Sequence, residues 1–245
     1  MANSLSFNGL DLSTVGLIVK SRNMPVEFTS DSALAQNISY GIDSKVPPKI
    51  ISLEVAVLAD TVAELKSFMD SVMLVLNQTT DKQLILDTMP DRYWLARFMT
   101  LSGQYKGIKF EGTLEFKCND PFAYAVSGGT DITVINSDPD FAVIDTAGNA
   151  IIRPVYTIIS DAVDAAATVI LHSDNTDEEI EWRGALAIGT VLVIDCVNWI
   201  VTKDGVESMS TVDGEFPTLV QDTTNLILTA GFTGTLTVTW RNRFC

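Results

Sequence analysis

The sequence predicts a mainly β protein of two domains, with one amphipathic α-helix in its N-terminal half. Three observations lead to this prediction: the length of 245 residues, the many short segments in which apolar and polar residues alternate, and one segment with helical spacing. An apolar fraction of 47% against a charged fraction of 19% indicates a chain that buries a core. The elements are justified below in chain order.

The N-terminal segment begins with a hairpin signal and continues into a long irregular stretch. Leu5 and Phe7 precede Asn8-Gly9, a pair typical of tight turns, and Val15–Val19 predicts a short strand. The stretch 21–49 is polar, rich in proline and without a periodic apolar face. We therefore predict an extended loop over 21–49.

A strand and the predicted helix follow this loop. Apolar and polar residues alternate from Ile51 to Leu58, which predicts a strand with one buried face. The next apolar residues recur at steps of three and four, which places them on one helical face: Val62, Leu65, Met69, Val72 and Leu76. Thr61 and Glu64 have the spacing of a capping box, so the sequence predicts a helix over 61–77.

The remainder of the N-terminal half reads as strands up to a break. Leu84 and Leu86 predict a short strand, and alternation from Phe110 to Cys118 predicts a longer one. Asp120-Pro121-Phe122 ends that strand, and the glycine and proline signals that follow favour a domain boundary near residue 130. We predict an N-terminal domain over 1–130 and a C-terminal domain over 131–245.

The C-terminal domain has the pattern of an all-β sandwich or barrel. Short strands with turn residues between them are typical of these architectures. The predicted strands are Ile151–Ile159, Ala167–His172, Glu179–Trp182, Val191–Val197, Trp199–Lys203, Asn225–Thr229 and Thr235–Arg241. In the last strand Leu236, Val238 and Trp240 face one way, and the threonines face the other.

The sequence offers little for catalysis, cofactors or metals. His172 is the only histidine, and the nucleophile-elbow, dinucleotide, P-loop and zinc-protease motifs are missing. Cys118 and Cys196 lie in phase with buried strand positions, which predicts small core residues. We therefore predict no enzyme, no cofactor and no metal site.

Charge and aromatic residues leave a few alternatives. A net charge of −15 disfavours specific binding to nucleic acid or to anionic membranes, and no apolar run is long enough to cross a membrane. The acidic stretch Asp174–Glu179 has oxygen ligands suited to calcium, although a solvated hairpin tip is favoured. Trp182 and Trp199 would stack on sugars if exposed, but their apolar neighbours favour core packing or a protein contact.

Seven segments spread over nearly the whole chain share their order and spacing with one known family. They are Ser6–Gly16, the helix Thr61–Asn77, Pro90–Arg97, Phe116–Tyr124, Gly189–Cys196, Gly214–Leu219 and Trp240–Arg243. The run resembles the distal tail protein family of long-tailed, siphovirus-type bacteriophages, and Pro90–Arg97 and Phe116–Tyr124 are its most specific parts. The resemblance implies a ring-forming N-terminal domain and a galectin-like β-sandwich at the C-terminus.

The resemblance also implies a function and a set of partners. Family members are structural virion proteins that form a hexameric ring at the tail tip, where they join the tail tube protein to the hub and to the receptor-binding and baseplate proteins. DNA passes through the ring's lumen without specific binding, and the resemblance implies no reaction. Few charges and many apolar residues agree with a subunit that buries surface against neighbours.

The interface candidates come from two segments. We expect the loop 21–49 to wrap the adjacent subunit, with Asp31, Asn37 and Tyr40 as contact residues, because so long an irregular segment gains little from packing on itself. Asp91, Arg92 and Arg97 either form ion pairs that hold the strand connection, which is the favoured role, or lie at the ring interface.

Two other functions and three roles for the C-terminal domain stay open. A carbohydrate-binding module on the tail requires an exposed aromatic residue beside polar groups, and a cell-wall hydrolase requires two carboxylates in one cleft. The residues with which galectins hold galactosides do not appear in the sequence, so the galectin-like fold does not imply sugar binding. The domain would otherwise dock accessory baseplate proteins or brace the outer rim of the ring.

Overall fold

The computed structural model describes residues 4–23, 47–136 and 139–245. The chain divides into two compact units, Met1–Val126 and Ser127–Cys245, which are described separately. Strands make up most of both units, which confirms the predicted mainly β class with one helix.

Among the residues that the structure describes, unit 1 contains the helix and eight strands, all paired antiparallel. The strand order is β2-β1-β5-β6-β7-β4-β3, and β8 pairs with the first half of β6. The elements are β1 (Leu5–Phe7), β2 (Leu10–Asp11), β3 (Leu17–Asn23), β4 (Lys49–Leu58), α1 (Val62–Leu76), β5 (Lys82–Leu86), β6 (Met89–Lys106), β7 (Lys109–Cys118) and β8 (Ala123–Ala125).

Two parts of the first fifty residues differ from the prediction. Asn8 and Gly9 both have positive φ and form the turn between β1 and β2. The strand predicted over Val15–Val19 is confirmed only from Leu17 onward, because Leu12–Val15 form a 3-10 turn that begins at the Asp11 side chain and ends at Gly16, and β3 runs from Leu17 to Asn23. Residues 21–23 and Lys49 of the predicted loop 21–49 lie in β3 and β4, and residues 24–46 lie outside the described residues.

Helix α1 begins and ends at the predicted caps. The hydroxyl of Thr61 accepts a hydrogen bond from the N–H of Glu64 at 3.1 Å, and the Glu64 carboxylate accepts from the N–H of Asp60, not of Thr61, at 2.9 Å. Leu65, Met69, Val72 and Leu76 are buried as predicted. Val62 is 66% exposed because it lies in the first turn, ahead of the buried face.

β6 is the longest strand, and it changes partners halfway along. Its first half pairs with β5, and the half from Arg97 to Lys106 pairs with β7. The segment Pro90–Arg97, for which the sequence analysis predicted no secondary structure, lies within this strand. Gly103 and Gly112 face each other across β6 and β7, and a Cβ on Gly103 would lie 2.3 Å from the Glu111 carbonyl oxygen.

Unit 2 consists of two antiparallel sheets that enclose one core. The five-stranded sheet has the order β10-β18-β12-β13-β17, and the six-stranded sheet has the order β16-β15-β14-β11-β19-β9. The strands are β9 (Gly129–Ile135), β10 (Asp140–Thr146), β11 (Val155–Ser160), β12 (Asp164–Ser173), β13 (Glu178–Leu186), β14 (Val191–Asp195), β15 (Ile200–Lys203), β16 (Val206–Glu207), β17 (Val212–Gly214), β18 (Asp222–Ala230), β19 (Gly234–Trp240) and β20 (Arg243–Phe244).

The core of unit 2 is built around large side chains from both sheets. Trp182 and Tyr156 are fully buried, and Trp182 Nε1 donates a hydrogen bond to Ser208 at 3.0 Å. β19 alternates as predicted. The predicted start of a strand at Ile151 is wrong, because Ile152 forms only an isolated bridge with Leu219 and β11 begins after Pro154.

Candidate functional site

The predicted interface residues fall into two groups. Asp31, Asn37 and Tyr40 lie outside the described residues, so their predicted contact with a neighbouring subunit stays a prediction. Asp91, Arg92 and Arg97 lie on β6. The Arg92 Nε lies 3.4 Å from the Asp91 carboxylate, and both side chains reach solvent.

Arg97 pairs with a residue that the sequence reading did not consider. Its Nε donates to Asp81 Oδ1 at 3.0 Å, and the amide of Asn119 donates to the other oxygen of Asp81 at 3.2 Å. Asp81 directly precedes β5. It thereby links β6 to Asn119, the residue that follows β7. Asp91, Arg92 and Arg97 thus do not form one network, because Arg97 lies five residues farther along the strand.

Besides the two-residue strand β2, unit 1 has two sheet edges that no described strand covers. β3 pairs only with β4, and β6 from Arg97 to Lys106 pairs only with β7, among the residues that the structure describes. The open edge of β6 runs from Met99 to Lys106, has no proline and has no charge before Lys106. Unpaired edges of this kind bind further strands unless charge or proline blocks them.

The strands β3, β4, β7 and β6 lie side by side and form one part of this sheet. The solvent face of this part carries a group of lysines around one carboxylate. Glu111 accepts from Lys109 at 2.5 Å, from Lys106 at 2.9 Å and from Lys20. The hydrogen bonds from Lys109, Lys20 and Lys106 hold the pKa of Glu111 well below its ordinary value. This end of the sheet therefore carries net positive charge within an acidic chain.

The outer face of the six-stranded sheet in unit 2 is almost uncharged. On this face the register places β-branched residues side by side on five neighbouring strands. The charged residues Asp195 and Glu207 lie at the border of this group. These residues, hereafter the uncharged face, are Thr130, Ile132, Val134, Val155, Thr157, Ile159, Val191, Val193, Ile200, Thr202, Thr235, Thr237 and Thr239. Ile132 and Val134 are 65% and 61% exposed, which is unusual on the solvent side of an antiparallel sheet.

The outer face of the five-stranded sheet carries charged residues along β13, whereas Phe141 and Val143 on β10 are exposed apolar residues of the same face. β13 carries three charged residues at alternate positions, Glu179, Glu181 and Arg183. His172, on the neighbouring strand β12, lies opposite Glu179. His172 Nδ1 is 3.7 Å from the Glu179 carboxylate, and its Nε2 is 3.8 Å from Asp174. The acidic stretch predicted as a hairpin tip is the turn between β12 and β13.

The two tryptophans for which core packing or a protein contact was predicted differ in their burial. Trp182 is buried, but Trp199 is 49% exposed and has a φ of 57° in the turn between β14 and β15. A side chain in this left-handed region costs roughly 1–2 kcal/mol, and glycine is the usual occupant. The Arg153 guanidinium lies 5.1 Å from the centroid of the Trp199 ring, and the Phe216 ring contacts it edge-on at 5.4 Å.

The described residues offer no constellation for catalysis by a metal or a thiolate. They contain no group of three histidine, cysteine or acidic side chains that could hold a metal ion, and no helix among them is long and apolar enough to span a bilayer. Burial raises the pKa of the Cys118 thiol to about 12 and also raises the pKa of Cys196. Both thiols therefore stay protonated at neutral pH, as expected of core residues.

The chain matches known phage tail proteins along most of its length. Residues 11–118 match the family described as a phage tail protein RIFT-related domain, and residues 147–244 match the C-terminal domain of a siphovirus-type tail component. A curated relative, the distal tail protein of Bacillus phage SPP1, is 22% identical over 215 residues, which covers 84% of this chain and 82% of that protein.

Solved structures show the same fold. The crystal structure of the SPP1 Dit protein, described as a paradigm of the hub adsorption apparatus in phages that infect Gram-positive bacteria, aligns over 100% of both chains with a TM-score of 0.78 and 15% identity. A chain of the phage P2 baseplate in its activated conformation with Ca aligns over 98% of both chains with a TM-score of 0.45 and 8% identity, which is too remote to support an argument.

Proposed function

We infer that this chain, which belongs to the distal tail protein family of long-tailed bacteriophages, is a structural protein of the tail tip and baseplate hub. Its place is the phage virion. The relatives that this chain matches are phage tail proteins, so we propose a role in assembly and not in catalysis.

We further propose that six copies form a ring through unit 1. The observation that supports this is the sheet β3-β4-β7-β6, which has an open edge at each end. Each strand of this sheet is antiparallel to the strand beside it, so β3 and β6 run in opposite directions. The β3 strand of one copy would therefore pair antiparallel with the β6 strand of the next copy. Such head-to-tail pairing uses two different surfaces and closes into a ring.

The number six and the additional contacts rest on the family resemblance and the sequence. We propose that the segment following β3, with Asp31, Asn37 and Tyr40, contacts the neighbouring subunit. For Asp91, Arg92 and Arg97 we keep the fold-supporting role, because Arg97 joins a pair with Asp81 and Asn119 inside unit 1.

Unit 2 is proposed to attach other tail proteins. The uncharged face offers a broad β-branched surface without opposing charge, which suits burial against another protein. The ring would join the tail tube protein to the hub and the receptor-binding proteins, with DNA passing through the lumen without specific binding. A carbohydrate-binding role is the second candidate, and exposed Trp199 is the observation that favours it.

The ring is tested by the solution mass of the full chain, measured by light scattering on a sizing column over a range of concentrations. We expect a six-fold mass for the wild type. Leu101→Lys places a charge in the middle of the open β6 edge, where Leu101 is half-buried, and should give monomers with the wild-type unfolding temperature. Leu101→Met is the matched control and should keep the six-fold mass.

A wild type that stays monomeric at every concentration would contradict self-assembly into a ring. A Leu101→Lys variant that still forms rings would leave the ring standing and show that the β6 edge is not its contact.

A further inference from the structure

Trp199 is the most exposed of the four tryptophans, and it occupies a backbone position that suits glycine. Trp94 and Trp182 are buried, whereas about half of the Trp199 side chain reaches solvent, at a φ of 57°. Exposing a large ring gains little from the hydrophobic effect, and the left-handed backbone adds strain. Strained side chains of this kind persist where the surrounding structure holds them, and such positions are concentrated at functional sites.

The turn that carries Trp199 is held rigid by its neighbours. Asp195 Oδ1 accepts from the N–H groups of Val197 and Asn198 at 2.9 and 3.0 Å, and Asp195 Oδ2 accepts from the Asn198 amide at 2.7 Å. Phe216 supports the edge of the Trp199 ring at 5.4 Å. The ring is thus fixed before any ligand arrives, which lowers the entropy lost on binding.

Two polar groups beside the ring are not used by the described part of the chain. Trp199 Nε1–H donates no hydrogen bond to a described residue, and Asn198 Oδ1 accepts none. One is a donor and the other is an acceptor, so a hydroxyl group, which does both, suits either of them. The Arg153 guanidinium lies over the ring, 5.1 Å from its centroid, so it supports one face of the indole and leaves the other face for a ligand.

We propose that Trp199, with Asn198 and Arg153, is a binding site for a neutral pyranose ring of a surface glycan. The C–H face of the sugar stacks on the indole, and its hydroxyls bond to Trp199 Nε1–H and Asn198 Oδ1. One aromatic ring with hydrogen-bonding groups beside it matches the size of a single sugar. The broad uncharged face is better suited to a protein partner. This site deepens the carbohydrate-binding candidate of the proposed function, on which it rests, and does not depend on the ring.

The experiment is a calorimetric titration of the full chain with the methyl glycosides of glucose, galactose and N-acetylglucosamine, because a fluorescence signal from Trp199 would be lost in any variant that lacks this residue. We expect a saturable heat change with at least one of them and none with sorbitol, which has hydroxyls but no ring face. Asn198→Ala should weaken binding, and Trp199→Gly should weaken it at least tenfold or abolish it.

Trp199→Gly also separates a binding role from a structural one. Glycine accepts the left-handed backbone without strain, so a ring kept for binding predicts an unfolding temperature equal to or above that of the wild type. A lower unfolding temperature together with no response to any glycoside would show that Trp199 serves to cover Phe216, and would overturn the site. A glycoside response that survives in Trp199→Gly would overturn it as well.

A protein contact at Trp199 is the remaining outcome. It would be shown by a Trp199→Gly variant that fails to join phage tails, while the wild type responds to none of the glycosides. That result would also overturn the sugar site.

Discussion

The two units differ in which part of a sheet they leave uncovered. In unit 1 the unpaired features are edges, on β3 and on the second half of β6, and the solvent face between them is charged. In unit 2 the open feature is a face, built from threonine, valine and isoleucine over five strands. An edge extends a sheet by backbone hydrogen bonds and suits identical copies in series, whereas a face buries side chains and suits a different protein.

The largest expected effect comes from the glycine pair that shapes the open edge of unit 1. A Cβ on Gly103 would lie 2.3 Å from the Glu111 carbonyl oxygen and 2.7 Å from Phe110 Cζ, so Gly103→Ala forces β6 away from β7. Overpacking of this kind costs about 1–3 kcal/mol of unfolding free energy. We expect a lower midpoint in thermal unfolding and loss of the six-fold mass.

Gly231→Ala is the matched control, because a Cβ there meets nothing within 4 Å. It should shift the unfolding free energy by less than about 0.5 kcal/mol. Rings that form normally from Gly103→Ala would show that assembly does not need the shape of this hairpin.

The second effect concerns the face of unit 2 and should appear only in tail assembly. Ile132→Lys with Val134→Lys adds two charges to exposed positions of the uncharged face, so the unfolding free energy should change by at most about 1 kcal/mol. The six-fold mass should persist, while attachment of the next tail protein, measured as the yield of infectious particles, should fall at least tenfold.

Glu179→Lys with Arg183→Glu changes the five-stranded sheet instead and leaves its net charge nearly as it was. Because that face is already charged, particle yield should stay at the wild-type level. Equal losses from both double variants would remove the distinction between the two sheets of unit 2.

The spacing of apolar residues made the half-buried strands and the helix predictable. Strands whose apolar residues are exposed, or that are apolar on both faces, were not predicted. β7 and β19 alternate cleanly, and α1 has its caps in the sequence. β9 was missed although Ile132 and Val134 alternate with polar residues, because these apolar side chains lie outside and not in the core. β10 was missed because Phe141–Ile144 is apolar on both sides. Ile132 and Val134 are part of the uncharged face.

The site residues were less predictable than the fold. Asp81 was missed because it becomes a partner of Arg97 only when β5, β6 and the residue after β7 come together. Trp199 was considered for sugar stacking, but its exposure was not predicted, because its apolar neighbour Ile200 favours a core position and nothing local marks the left-handed turn. Side chains that act across distant segments leave no periodic signal along the chain.

A smaller effect is expected from the ion pair of Arg97. Asp81→Ala removes one partly exposed ion pair and one amide hydrogen bond, so the unfolding free energy should fall by about 0.5–1 kcal/mol. Asp91→Ala removes only an exposed pair and should leave it unchanged. If Asp91→Ala instead abolishes rings at an unchanged unfolding temperature, the segment lies at the ring interface and not in support of the fold.

The smallest effect concerns the pH dependence that Glu111 gives to unit 1. The lysines hold the pKa of Glu111 well below its ordinary value of 4.5, so the folded state favours the ionised carboxylate. That contribution is fully present above the unfolded pKa and is lost as pH falls from about 4.5 toward the folded pKa. The unfolding temperature of the wild type should therefore exceed that of Glu111→Gln at pH 7, and the difference should shrink only in acid. Because the group is exposed, 1 M salt should also reduce the difference, and a difference that is insensitive to both pH and salt would show that Glu111 acts through packing and not through charge.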